Sequence, residues 1–355
     1  MSLSVGIVGL PNAGKSTLFN ALLGRQIAKA ENYPFCTIDP NTGVVAVPDK
    51  NLAILAKIEK SRQVVPAVVK FVDIAGLVAG AAKGEGLGNK FLANIRECDV
   101  ICYVLRGFND PDVDRAGSID PQNDLEVLKT ELILKDLETI EKICHQKVQP
   151  DDKEAILRSQ VAKKVENVLE QGQLIINQNW AKNEIEVINQ FFLLSAKKYL
   201  IVLNIDEGDF NKLDRIKMDF ADWDILPICA KIEAELAQLE KVEQKEYLDQ
   251  LGVKKSGLEL LIRKAYKTLG LISFYTAGEK ETRAWTVKKG AKAPQAAGVI
   301  HTDFEKNFIK AEIVSLGDLI KFSGWKICRE KGKTRFEGRD YEITNKEVVE
   351  FKVGV

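Results

Sequence analysis

The stretch Val5-Gly6-Ile7-Val8-Gly9-Leu10-Pro11-Asn12-Ala13-Gly14-Lys15-Ser16-Thr17 constrains this chain more than any other. A short apolar run leads into a glycine-bearing loop, and an apolar helical pattern (Leu18, Phe19, Ala21, Leu22, Leu23) follows from about Ser16. Gly9-x-x-x-x-Gly14-Lys15-Ser16 has the spacing of a phosphate-binding loop. Gly9 and Gly14 let the backbone bend and approach an anion closely. The N–H groups of Asn12, Ala13, Gly14, Lys15 and Ser16 can then face phosphate oxygens at a helix N-terminus, whose dipole favours negative charge. Lys15 adds a point charge that reaches the β- and γ-phosphates, and the Ser16 hydroxyl is a Mg²⁺ ligand.

Such a loop demands a strand before it and a helix behind it, and 355 residues leave room for two or three domains around that core. Bulk charge names no partner, because 51 Lys and Arg balance 51 Asp and Glu. The segment from Phe274 onward nevertheless carries 16 basic against 12 acidic residues, a bias toward an acidic partner. The six cysteines form no C-x-x-C pair and several sit in apolar runs, so they read as small buried hydrophobes in a reducing compartment. With only two histidines, a Cys/His zinc site is not expected. No run of about 18 apolar residues predicts a membrane span, and the apolar start lacks a cationic leader. These features predict a cytoplasmic protein with no membrane partner.

Along the chain, strands are expected at Thr42–Val47, Ala67–Ile74, Val100–Leu105, Tyr199–Leu203 and Ile225–Ala230, with a helix over Asn89–Arg96. Five glycines between Gly76 and Gly88 predict a mobile loop. From Leu125 the apolar spacing becomes helical through Cys144, breaks at Val148-Gln149-Pro150, and resumes over Leu157–Val168. Two amphipathic helices joined by a short turn make an antiparallel hairpin. A third helical stretch, Glu184–Lys198, leads back with Ile185, Ile188 and Phe192 on its expected face. Strand signals vanish for this length and then return, which favours a projecting arm over ordinary core helices. Helices follow over Glu233–Leu251 and Leu258–Leu269, the latter behind a Ser256 cap. From Phe274 the texture is β-rich. The expected fold class is α/β: a doubly wound, mostly parallel sheet at 1–124 and 199–273, a helical hairpin or coiled coil inserted at 125–198, and a separate domain at 274–355.

Ligands of a doubly wound sheet sit at the carboxyl ends of its strands, and the candidate residues fall there. Asp73 ends its strand, as a Mg²⁺-water ligand should, and the Gly76 N–H is placed for a γ-phosphate. Thr37, in the loop before the next strand, completes an oxygen-only Mg²⁺ environment with Ser16 and Asp73. Asn204-Ile205-Asp206-Glu207 bears on the base. GTPases of this layout carry N-K-x-D there, but Ile205 replaces the Lys and Glu207 the Asp. A carboxylate would face adenine N1, a second acceptor, and leave both unsatisfied. Adenine needs an acceptor for its 6-amino group and a donor for N1 or N7, and backbone groups at Ile205 with the Asn204 amide are the expected suppliers. This favours ATP over GTP. Cys229, Ala230 and Lys231 occupy the loop that closes over the base.

Taken together, Gly9–Thr17, Asn32-Tyr33-Pro34-Phe35-Cys36-Thr37-Ile38-Asp39-Pro40, Asp73-Ile74-Ala75-Gly76-Leu77-Val78 and Asn204–Glu207 resemble the YchF family of Obg-related ATPases. Ala284–Gly290 and Ala293–His301 resemble that family's C-terminal TGS domain, a ubiquitin-like β-grasp module. The resemblance covers essentially the whole chain. It implies a P-loop NTPase domain with a helical insertion, a cytosolic ATPase of the translation-factor class, Mg²⁺-ATP and ADP as ligands, and a monomer that associates with ribosomes. It also suggests Asn12 as a K⁺ ligand, against the plainer reading that Asn12 shapes the loop.

Two positions bear on rate. Leu77 stands where Ras-like enzymes orient water with a Gln, and a leucine makes no hydrogen bond to water, so slow intrinsic hydrolysis is expected. The family commonly has a His a few residues before Gly117, where this chain has Asp114 followed by Arg115. A carboxylate beside a triphosphate is repelled; Arg115 is either a stabiliser of phosphoryl charge or a solvated loop residue. Arg283, Trp285, Lys288, Lys289 and Lys292 suit ribosomal RNA or a solvated strand face. Two rivals to the ATPase switch stay open: a nucleotide-gated binding module with negligible hydrolysis, and an Obg-type GTPase.

Overall fold

The computed structural model describes residues 3–24, 41–74, 89–109, 119–146, 148–149 and 151–354. Its strands are β1 Ser4–Val8, β2 Thr42–Ala46, β3 Gln63–Val65, β4 Val68–Asp73, β5 Val100–Arg106, β6 Lys198–Asn204, β7 Ile225–Ile228, β8 Leu271–Ala277, β9 Glu281–Lys288, β10 Phe308–Ser315, β11 Arg335–Glu337 and β12 Glu347–Val353. The helices of use here are α1 Lys15–Gly24, α2 Lys50–Glu59, α3 Asn89–Glu97, α4 Pro121–Cys144, α5 Lys153–Glu170, α6 Lys182–Asn189, α7 Leu213–Asp219, α8 Ala230–Leu236, α9 Lys241–Gln250, α10 Gly257–Thr268 and α11 Ala293–Ile300. The chain forms two compact units, Met1–Val44 with Lys70–Leu261, and Val45–Val69 with Ile262–Val355.

In the first unit six strands lie in the order β2-β4-β1-β5-β6-β7, and the ladders from β4 to β7 are parallel. Strands buried on both faces need continuous apolar sequence, and β1 and β5 supply it with every residue buried. The register sets Ile7 beside Asp73, Val8 beside Tyr103 and Arg106 beside Asn204, so the chain leaves four strands along one edge. This is the doubly wound arrangement expected from the sequence.

The helical insertion differs from the expectation in detail. α4 starts earlier, at Pro121, with Asp120 capping the Asn123 N–H at 3.0 Å. Its first turns are not part of an arm: Leu125, Leu128 and Leu132 pack in the core of the nucleotide-type sheet with Tyr103 and Ile201. Only further on do Ile133 and Ile140 join a second core with Val161, Val165 and Leu169 of α5. The expected third helix over Glu184–Lys198 is shorter, α6 stopping at Asn189. The Gln190 and Phe191 N–H groups bond back three residues, and Phe192 turns left-handed at φ +52°, which ends the helix. Asp136 of α4 then takes the N–H groups of Leu194 and Ser195 at 2.9 and 2.7 Å and the Ser195 hydroxyl. The buried face of this stretch is Val187, Ile188 and Phe191, while Ile185 and Phe192 are exposed.

The second unit is a mixed sheet in the order β11-β10-β12-β8-β9-β3 with α11 against it. Phe274, Val287, Ala296, Ala297, Phe308, Ile313 and Val349 form its core. This is a β-grasp arrangement, and it is discontinuous in sequence. β3 pairs parallel with β9, placing Val65 beside Arg283. The Asp49 carboxylate accepts the Tyr275 hydroxyl at 2.6 Å, the Ser61 hydroxyl donates to the Gly278 carbonyl at 2.7 Å, and the Trp325 N–H donates to Glu59 at 3.2 Å. A fragment 262–355 expressed without 45–69 leaves the edge of β9 unpaired and these groups without partners. We expect it to show no cooperative melt by near-ultraviolet circular dichroism, and a 45–69 peptide added in trans to restore one.

Candidate functional site

The edge where β1, β4, β5, β6 and β7 end holds the candidate site. After β1 the backbone folds over itself to reach α1, and it does so at φ +61° for Asn12 and +84° for Gly14. Asn is one of the few residues other than glycine that tolerates this region, so Asn12 has a backbone reason to be where it is. A Cβ on Gly9 would stand 2.3 Å from the Val104 carbonyl oxygen, and one on Gly14 would stand 2.1 Å from the Asn204 amide nitrogen. Both glycines are therefore required by close approach. The first N–H groups of an α-helix have no partner within the helix, and α1 opens directly behind this loop, which is the arrangement an anion site needs.

Lys15 opens α1 and is 6% exposed. Its ammonium donates to the Leu10 carbonyl at 2.7 Å, which curls the side chain back over the loop. Burial lowers its pKa to about 8, with the nearby Asp73 carboxylate pulling the other way. Asp73 is at the end of β4, with its N–H on the Asn41 carbonyl at 2.9 Å. Ser16 and Thr17, on the first turn of α1, are exposed. The structure thus brings Asn12, Ala13, Gly14, Lys15, Ser16 and Asp73 together. Thr37, Gly76, Leu77, Asp114 and Arg115 lie outside the described residues. Among the described residues no group of three or more His, Cys, Asp or Glu could hold a metal. A hydroxyl and one carboxylate beside a phosphate loop fit Mg²⁺, a hard cation that keeps waters and takes most other oxygens from a nucleotide.

The base-side residues differ from the sequence expectation. The Asn204 side chain is 6% exposed and works at both ends: its amide nitrogen donates to the Ala13 carbonyl at 3.1 Å, and its oxygen accepts the Ala230 N–H at 3.0 Å. The Ile205 N–H donates to the Ile228 carbonyl at 2.9 Å. The groups assigned to adenine in the sequence reading are thus engaged in tying the phosphate loop to β6, β7 and α8. A strand-end amide serves the nearest buried backbone groups first, because leaving those unpaired costs more than a ligand bond returns. Asp206 accepts the Asn109 N–H at 2.9 Å, Glu207 is exposed, and the buried Cys229 Sγ is held up in pKa by burial and, less so, by Glu207.

Phe108 was missed by sequence reasoning. Its ring lies 3.8 Å from the position a Gly14 Cβ would take, and the Arg106 guanidinium stacks 4.9 Å from its centre. The signal for it was available: an aromatic two residues past the end of a buried strand, in the crevice of a parallel sheet.

The comparisons agree with this geometry. The family model described as 50S ribosome-binding GTPase matches residues 4–147. The YchF-type GTPase C-terminal model, described as a protein of unknown function (DUF933), matches residues 271–354. The chain is 47% identical to the ribosome-binding ATPase YchF of Haemophilus influenzae over 100% of both chains, and 42% identical to that of Bacillus subtilis over the same share. It is 40% identical to the Obg-like ATPase 1 of Caenorhabditis elegans, covering 99% of this chain and 92% of that one. The solved structure of the Schizosaccharomyces pombe YchF GTPase superposes with a TM-score of 0.89 at 37% identity, covering 99% of this chain and 98% of that one.

Two measurements check the site. Because the Lys15 proton is held less tightly in the fold than in an unfolded chain, this group adds stability as pH rises from about 8 toward 10.5. Phosphate binding needs the proton, so Mg²⁺-nucleotide affinity should fall as pH climbs through 8, by up to about tenfold per unit. Calorimetry in buffers of different ionisation enthalpy should show proton uptake on binding near pH 8, absent in Lys15→Ala. Asn204→Ala, which leaves the Ala13 carbonyl and Ala230 N–H unpartnered, should cost roughly 2–4 kcal/mol in urea unfolding and weaken nucleotide binding.

Proposed function

The chain belongs to the YchF family of Obg-related proteins, and from that premise we propose that it is a Mg²⁺-dependent ATPase acting as a switch on the ribosome. The observation that carries the base assignment is Asn204-Ile205-Asp206-Glu207. Guanine is read by a Lys over the loop and an Asp behind it. Here the Lys position is Ile205, apolar and 3% exposed, and the adjacent Asp206 carboxylate takes the Asn109 N–H. The Lys that covers guanine is thus absent, and the longer, exposed Glu207 stands where guanine readers carry an Asp, so the paired guanine contacts are not reproduced. The relatives named ribosome-binding ATPases support the same assignment. GTP is the second reading, favoured by the name of the Schizosaccharomyces pombe relative.

Ser16, Asp73 and Thr37 would hold Mg²⁺, which would neutralise phosphate charge. Lys15 and the loop N–H groups orient the triphosphate, and Gly76 contributes an N–H to its γ-phosphate. Leu77 supplies no hydrogen bond to a water, so unstimulated turnover is slow. Asn12 serves loop shape, and turnover in KCl against NaCl decides a further role as a K⁺ ligand. The division of labour assigns nucleotide to the unit of 1–44 with 70–261, apart from its inserted hairpin, and the ribosome to that hairpin and to the β-grasp unit of 45–69 with 262–355. Within the latter, Lys288 and Lys289 are exposed for RNA, while Lys292 is paired with Asp340 at 2.7 Å and Arg283 stacks 4.1 Å over Trp285. The protein works as a cytoplasmic monomer that cycles between ATP and ADP.

Calorimetry with ADP and GDP checks the base: ADP should bind at least about tenfold tighter, and tighter GDP would overturn the assignment. Multiple-turnover phosphate release should rise on adding ribosomes and be lost in Lys15→Ala. No rise above that control would make the protein a nucleotide-gated binder instead.

A further inference from the structure

We propose that Arg106 is a positioning residue for base binding, setting the Phe108 ring as one wall of the nucleotide site. This rests on the nucleotide reading above. Arg106 ends β5, opposite Asn204, and is 3% exposed. Its Nε donates to the Phe108 carbonyl at 3.2 Å and its guanidinium stacks on the same residue's ring, 4.9 Å from the centre. One side chain therefore grips both the backbone and the ring of Phe108.

The flanking residues are pinned as well. The Gly107 N–H donates to the Asn204 carbonyl at 2.8 Å, and the Asn109 N–H to Asp206 at 2.9 Å. A Cβ at 107 would crowd the Leu203 side chain at 2.9 Å and the Asn204 carbonyl oxygen at 3.2 Å. The half-buried Phe108 ring is left beside Gly14, where a base joined to a phosphate-bound ribose arrives.

The alternative is that Arg106 merely stabilises the fold. Its Nη1 argues against that, being buried with no hydrogen-bond partner among the described residues. Burying a cation costs stability unless its donors are met, and a buried donor without a partner calls for an explanation such as a positioning role. Lysine is no substitute, because only a planar guanidinium can stack on a ring and donate in its own plane at once.

The test is calorimetry of the full chain with Mg²⁺ and either ADP or pyrophosphate, which keeps the diphosphate and lacks the base. Arg106→Met and Arg106→Lys should each weaken ADP about fivefold and leave pyrophosphate unchanged. Arg106→Met should melt at or above the wild-type temperature, since an incompletely paired buried cation is removed. Phe108→Ala should weaken ADP about tenfold, again sparing pyrophosphate. Parallel loss of ADP and pyrophosphate, or wild-type ADP binding in both Arg106 variants, overturns the proposal. Loss in Phe108→Ala alone overturns the role of Arg106 while keeping the wall, and no loss in Phe108→Ala overturns both. If the wild type prefers GDP, the adenine reading fails, and the same comparison with GDP still tests Arg106.

Discussion

A phosphate loop is a length of backbone whose N–H groups point outward at an anion, so its carbonyls point inward and must be answered from behind. Lys15 answers the Leu10 carbonyl, and a single side chain from another strand answers Ala13. The Asn204 amide, at the end of β6, donates to Ala13 and accepts from Ala230. It joins three things that lie far apart in sequence: the loop after β1, the end of β6 and the start of α8. The glycine at 14 follows from it, because any Cβ would occupy the space of that amide. The closeness of Phe108 comes instead from the Asn204 backbone, whose carbonyl accepts the neighbouring Gly107 N–H at 2.8 Å. The loop after β1, Phe108 and the strand register are thus parts of one arrangement.

The second constraint is covalent. The chain leaves the segment that holds Thr37 through β2, makes α2 and β3 inside the β-grasp unit, and returns through β4 to Asp73. The two candidate Mg²⁺ ligands that flank this excursion are therefore its two ends. Asp49, Ser61 and Glu59 bond into the β-grasp unit, so the excursion is anchored at several points.

The helical insertion shows how periodicity can mislead. Spacing of Ile185, Ile188 and Phe192 fits a helical face, yet the helix stops at Asn189. The helix ends where the chain turns left-handed at Phe192, and beyond that turn Asp136, a buried carboxylate 58 residues away, accepts the Leu194 N–H. Burial pushes the Asp136 pKa up while those hydrogen bonds pull it down, and the backbone it holds has no further N–H to spend on a helix. Likewise Leu125–Leu132 and Ile133–Ile140 form one unbroken heptad-like run, but they serve two different cores.

Legibility in the sequence followed the range of the interactions. The loop Gly9–Ser16, the strand ending at Asp73 and the alternation of strands with helices are local patterns of spacing and residue type. They sufficed for the fold class, for a phosphate-binding site and for the family. The roles of Asn204, Ile205, Phe108 and Arg106 depend on which strand ends meet and which buried groups would otherwise lack partners. So does the recruitment of 45–69 into the β-grasp unit. An asparagine looks the same in a sequence whether it reads a base or braces a loop. Tertiary structure decides between them, because the penalty for an unpaired buried group exists only once the group is buried.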